Sequence, residues 1–242
     1  MARLEHLEES LGIAFKKTAL LKEALTHRSY LNENPSWGFR DNERLEFLGD
    51  AVIELSVTES LFEKFPDYDE GRLTGIRAAL VNYQMLASVA EDIRLGGFLY
   101  LSKGEMLASS STRRSGKDNG RAREVILANA FEAVIGAVYL DKGYEAARKT
   151  VTALVMPHLD EVMEHKLYKD PKSMLQERLQ EEKKTTPTYR VLSESGPDHE
   201  KVFVVGVFVG AKKLAEGEGP SKQEAEAKAA ERGLERLLSR TG

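Results

Sequence analysis

In "NERLEFLGDAVIEL", residues 42–55, Glu43, Glu46 and Asp50 recur at intervals of three and four. At about 100° per residue these positions return to nearly one face of a helix, so the carboxylates form a stripe. Leu45, Leu48, Val52 and Leu55 fall on the opposite side. Like charges at such spacings cost an isolated helix roughly 0.2–0.5 kcal/mol per pair. No Lys or Arg stands three or four residues from Glu46 or Asp50 to relieve them. A solvated acidic face is the plain reading of such a stripe. Solvated faces generally interleave basic residues, however, and Gly49 beside Asp50 lets something approach the backbone closely. The chemistry that three aligned carboxylates offer is the binding of a divalent cation.

A second segment, "ILANAFEAVIGAVYLD" at 126–141, carries Asn129 and Glu132 at i and i+3, with Phe131, Val134, Ile135 and Val138 as its apolar remainder. Set against the first segment, Glu46, Asp50, Asn129 and Glu132 would offer four oxygen-bearing side chains to one ion, with waters completing the octahedron that Mg²⁺ demands. The chain has no cysteine, which excludes a disulfide framework, a thiolate nucleophile and Cys-ligated zinc. Any metal site is therefore one for a hard cation. A third candidate lies in "EGEGPSKQEAEAKAA", where Ser221 as N-cap and Glu224 three residues on form a capping box. Lys222 then faces the positive end of the helix dipole, a poor position that a bound phosphate would relieve.

The elements that must position these residues follow from apolar spacing. Up to about residue 165 the period is helical, with segments near 3–11, 18–30, 42–64, 71–95, 123–141 and 143–164. Two connectors interrupt it. "NENPSWGFRD" at 32–41 is turn-rich, and "SSSTRRSGKDNGRAR" at 109–123 reads as a mobile loop whose Arg113, Arg114, Lys117, Arg121 and Arg123 could contact phosphates. His27 and Trp37 are expected to pack rather than bind.

Beyond residue 165 the pattern changes. Asp170 and Pro171 signal the start of a short helix over 171–182 with Leu175 and Leu179 inward. Strands are expected at 187–195 and 200–209, a short third one around "AKKLAEG", and a last helix from Ser221. The order α-β-β-β-α packs two helices on one side of a three-stranded antiparallel sheet. The fold class is thus an all-α domain followed by a small α+β domain. The boundaries expected are 1–160, a linker at 161–169, and 170–242.

The net charge of −4 averages over unlike regions: the first 168 residues carry five more acidic than basic side chains, and the remainder one more basic. Net charge alone therefore does not decide against a nucleic-acid partner. The N-terminus lacks an apolar signal region and no stretch approaches a membrane span, so no membrane partner and a cytoplasmic location are expected.

"ALTHRSYLNEN" (24–34), "NERLEFLGDAV" (42–52), "DEGRLTGIRAALVN" (69–82) and "ILANAFEAVIGAVYLD" (126–141), followed by the α-β-β-β-α module, resemble bacterial ribonuclease III over nearly the whole chain. The resemblance implies an endonuclease that hydrolyses double-stranded RNA to 5′-phosphate and 3′-hydroxyl ends with short 3′ overhangs, in processing of ribosomal and other structured RNA. It implies that Glu46, Asp50, Asn129 and Glu132 ligate Mg²⁺, for which Mn²⁺ can substitute, and that Glu43 and Glu70 complete the acidic cleft beside Asp50 and Glu132. It further implies a homodimer with Phe47 and Leu48 near the interface, and RNA contacts through Gln176, Glu177, His199, Ser221 and Lys222. Such a module reads A-form shape and 2′-hydroxyls across two minor grooves.

The sequence departs from the family at three points, one of them a loop before residue 124 that is longer than the family's. Position 129, aspartate in the family's motif "ADAFEA", is asparagine here, which keeps one oxygen but removes a charge from the cage; and Gln223 stands where a second basic residue is usual. Two rival readings therefore stay open: a duplex-RNA-binding protein of the same fold with catalysis impaired through Asn129, and a structural helical dimer whose acidic stripe holds calcium or a basic partner. The RNA-binding module argues against the second.

Overall fold

A computed structural model of the chain describes residues 2–110, 117–165, 168, 171–197 and 201–238, which fall into two compact units, 1–168 and 169–242. The first unit is helical throughout: α1 (Ala2–Leu11), α2 (Thr18–Ala24), α3 (Arg28–Glu33), α4 (Glu43–Lys64), α5 (Glu70–Val81), α6 (Tyr83–Asp92), α7 (Lys103–Ser110), α8 (Lys117–Lys142), α9 (Tyr144–Val155) and α10 (Leu159–Glu164). Its core is a single apolar cluster centred on α8, whose Phe131, Val134, Ile135 and Val138 are fully buried. Among the described residues no helix is long and apolar enough to cross a membrane.

Several expected elements are corrected. The helix expected over 18–30 breaks at Leu25–His27, because Thr26 is buried and tied down: its Oγ1 donates to Lys22 O at 2.7 Å and accepts from Trp37 Nε1 at 3.2 Å. His27 then starts α3 as its N-cap, its Nδ1 accepting from Ser29 N at 3.3 Å. Burial is the main cause that holds the His27 ring below its usual pKa, which suits an acceptor nitrogen. The helix expected over 71–95 likewise divides at Asn82, whose side chain accepts from Met85 N at 2.9 Å and restarts the chain as α6.

The connector at 109–123 is not a loop throughout. Residues 103–110 form α7, 117–123 are the first turns of α8, and 111–116, with Arg113 and Arg114, lie outside the described residues. Arg123 pairs with Glu91 of α6 at 3.6 Å and Arg121 lies over the Tyr83 ring at 5.8 Å, contacts that hold this end of α8 against α6. Leu55, expected on the apolar side of α4, is 49% exposed, and the buried face runs instead through Leu45, Gly49, Val52, Ile53, Ser56, Val57 and Leu61. Trp37 packs as expected, its ring 4.8 Å from Tyr100 and 5.2 Å from Tyr30.

The second unit is α11 (Pro171–Lys183), β1 (Thr188–Ser195), β2 (Val202–Val209), β3 (Lys212–Gly219) and α12 (Lys222–Leu238). The sheet is antiparallel in the order β1-β2-β3, with Val191 opposite Val205 and Ala215 opposite Val207. Leu175 and Leu179 of α11 and Ala229, Ala230 and Leu237 of α12 meet Val207, Leu214 and Ala215 in one core. Asp170, the expected cap of α11, lies outside the described residues.

Candidate active site and RNA-binding residues

The acidic residues of α4 and α8 are brought together by a close crossing of the two helix backbones. A Cβ built on Gly49 would lie 1.7 Å from Glu132 O and 2.9 Å from Gly136 N; one built on Gly136 would lie 2.2 Å from Leu45 O. Only hydrogen fits at either position. Gly49 is thus the residue that admits a backbone, as its place beside Asp50 indicated, and the visitor is α8 at Glu132. Gly136, one turn further along α8, is the half of this contact that sequence reasoning missed. A glycine inside the apolar run of α8, four residues after Glu132, was the available signal.

The crossing fixes the electrostatics. Burial, then the charges of Asp50 and Glu46, push the Glu132 carboxyl up to about 8. Glu46 is raised by burial and by Glu43 and Asp50, and the Asn129 amide donates a hydrogen bond to it that partly offsets the rise. Four of the expected residues, Glu46, Asp50, Asn129 and Glu132, therefore share one patch with Glu43 at its edge. The charges that act on Glu132 are both carboxylates. Glu43 is half exposed and pairs with Arg28 at 3.2 Å. The cation that pairs with this end of the stripe comes from α3.

Glu70 belongs to another helix. It opens α5, its Oε1 accepts from Thr74 Oγ1 at 3.2 Å, and it is not among the charges acting on Glu46 or Glu132. Among the described residues, no three His, Asp or Glu side chains form a closed group that could hold an ion as they stand. The donor chemistry nonetheless fits a hard divalent cation. All donors are oxygens, three are carboxylates, and the most buried of them carries the proton that a cation would replace. The cavity of about 600 Å³ lined by His6, Glu9, Asp92, Arg94 and Phe98 shares no residue with the patch.

In the second unit Gln176 and Glu177 lie exposed on α11. Ser221 caps α12, its Oγ accepting from Glu224 N at 3.2 Å as the capping box requires, and exposed Lys222 lies over the Phe203 ring at 5.6 Å. His199 lies outside the described residues.

Both units have counterparts among known proteins. Residues 17–159 match a family model described as ribonuclease-III-like, and residues 171–237 match the double-stranded RNA binding motif. Ribonuclease 3 of Campylobacter fetus is 46% identical over 230 residues, 95% of this chain and 96% of that protein. Ribonuclease 3 of Carboxydothermus hydrogenoformans is 46% identical over 231 residues, 96% of this chain and 94% of that protein. Among solved structures, a nuclease domain of ribonuclease III from Campylobacter jejuni is 40% identical with a TM-score of 0.54, covering 64% of this chain and 96% of its own; it is described as flexible in a region involved in dimer formation. The chain belongs to the ribonuclease III family.

Proposed function

We propose that this chain is a Mg²⁺-dependent endoribonuclease of double-stranded RNA, acting in the cytoplasm as a homodimer. The observation that carries the reading is the patch of carboxylates gathered at the Gly49–Gly136 crossing, in a chain that also carries a double-stranded RNA binding motif. Glu46, Asp50, Asn129 and Glu132 would hold the ion. Mg²⁺ bound there supplies a Lewis acid for the phosphodiester and a water activated for in-line attack.

The protein's own residues set the conditions for that chemistry. Glu132 holds a proton until a cation arrives and releases it on binding, so cation affinity rises with pH up to about 8. The Asn129 amide keeps one ligating oxygen but withholds a charge, which weakens cation binding and slows turnover at limiting Mg²⁺. Glu43 and Glu70 engage the scissile strand. Gln176, Glu177, His199, Ser221 and Lys222 seat the duplex by its shape. Phe47 and Phe62, 83% and 71% exposed on α4, support a self-associating face.

The test incubates long duplex RNA with the chain and with its Asn129→Asp form, with and without Mg²⁺. Both are expected to cut only with Mg²⁺, the Asp form at least about tenfold faster at limiting metal. Cutting by the Asp form alone would make this chain an RNA binder. If neither form cuts, the assignment of the site fails.

A further inference from the structure

At the edge of the acidic patch stands the exposed guanidinium of Arg28. Arg28 Nη1 lies 3.2 Å from Glu43 Oε1, and the two side chains are 71% and 54% exposed. Such a pair contributes at most about 1 kcal/mol, so the fold does not require it. The backbone beneath Arg28 is nevertheless well fixed. The preceding residue, His27, caps α3 through Nδ1 and donates its backbone N–H to Tyr100 O at 3.1 Å. An exposed charged head is thus mounted on an anchored stem.

The patch needs such a group. A duplex strand brings one negative charge per phosphate towards Glu43, Glu46 and Asp50, and the two anionic surfaces repel. We infer that Arg28 is a substrate-binding residue: its guanidinium rests on Glu43 in the free protein and passes to a phosphodiester oxygen of the strand lying beside the patch. Its planar fork matches a phosphate as well as a carboxylate, so one anion replaces another and the cation is never left unpaired. The exchange also releases Glu43 to face the scissile strand. The inference rests on reading the patch as the cleavage site.

The test measures binding of a fluorescent RNA duplex to the full chain in EDTA across a salt series, beside steady-state cleavage in Mg²⁺, for wild type, Arg28→Gln, Arg28→Lys and Glu43→Gln. Arg28→Gln is expected to weaken binding about 5–10-fold and to lower the slope of log K against log salt by about one. KM rises while kcat stays within about twofold, the pattern of lost uniform binding. Arg28→Lys restores the slope and part of the affinity, and Glu43→Gln, which frees Arg28, tightens duplex binding at low salt. Unchanged affinity and slope in Arg28→Gln, with wild type still cutting, overturns the inference and leaves the site reading standing. A fall in unfolding temperature with the slope unchanged overturns it too, by assigning Arg28 to the fold alone. Wild type that neither binds nor cuts duplex overturns both.

Discussion

Both units of the chain use glycine to press a helix backbone against a neighbour, and the outcome differs. In the first, Gly49 and Gly136 let α4 and α8 touch at the acidic residues themselves, so the closeness desolvates carboxylates and forces them to share a field. In the second, a Cβ on Gly217 would lie 2.3 Å from Ala229 N, and one on Gly219 2.9 Å from Ala225 N. There the closeness seats α12 on β3 and leaves the residues that face solvent, Ser221 and Lys222, in ordinary surroundings. Backbone contact creates chemistry only where ionisable side chains flank it. The first unit should therefore answer to cations and pH, and the second to salt.

The largest effect expected separates the two contacts. Gly49→Ala places a methyl group inside the carbonyl of Glu132, and relief requires the helices to part; a loss of about 3 kcal/mol or more is expected in the first unit. Metal-stimulated cleavage should disappear with it. Gly217→Ala should instead expel α12, abolish duplex binding and leave the melting of the first unit in place. Circular dichroism melts of both variants in the full chain decide this. A Gly49→Ala protein with the wild-type melt and full activity would show that the crossing does not position the acids.

A smaller effect sharpens the same contrast through pH. Glu132 has its carboxyl raised from the ordinary 4.5 to about 8, so the folded state binds a proton that the unfolded state gives up. Its contribution to stability is whole below pH 4.5 and is lost as pH rises through about 8. Without divalent cation, the melting temperature of the first unit should therefore fall between pH 6 and 9. Added Mg²⁺ should restore it most at the alkaline end, where the cation no longer competes with the proton. Glu132→Gln should flatten both dependences, and its persistence with a wild-type pH profile would sink the assignment.

What could be read in advance divides along similar lines. The acidic stripe, the second acidic segment and the α-β-β-β-α order follow from periods of 3.6 and 2, which belong to residues near one another in sequence. The breaks at Thr26 and Asn82 were missed because apolar spacing continues across them, and what divides the helices is side-chain bonding that the spacing does not report. Asn82 could have been recognised as a cap; Thr26 could not, since its partner Trp37 lies eleven residues on. Pairing of Arg28 with Glu43 and the fit of Gly136 against Leu45 are tertiary. No period reports which residues of two separate helices will meet.

The smallest effect concerns the rim of the second unit, where solvent rather than a helix meets the sheet. The order β1-β2-β3 leaves β3 as an edge, and an edge strand exposes carbonyls that another strand could take. Arg232 and Arg236, one turn apart on α12, reach over it: their Nη1 atoms donate to Glu216 O at 2.9 Å and to Leu214 O at 2.6 Å. Two outward carbonyls are thus occupied by side chains of the same unit. Lys213, paired with Glu216 at 2.6 Å, adds charge along the strand. Replacing both arginines by alanine should cost the second unit only about 1–2 kcal/mol, two hydrogen bonds' worth, and leave RNA cleavage unchanged at saturating RNA. Light scattering at rising protein concentration should then detect association of the double variant beyond that of wild type. Equal scattering would mean that the charges on β3 close the edge without the arginines, and that α12 serves the sheet only by its buried alanines and Leu237.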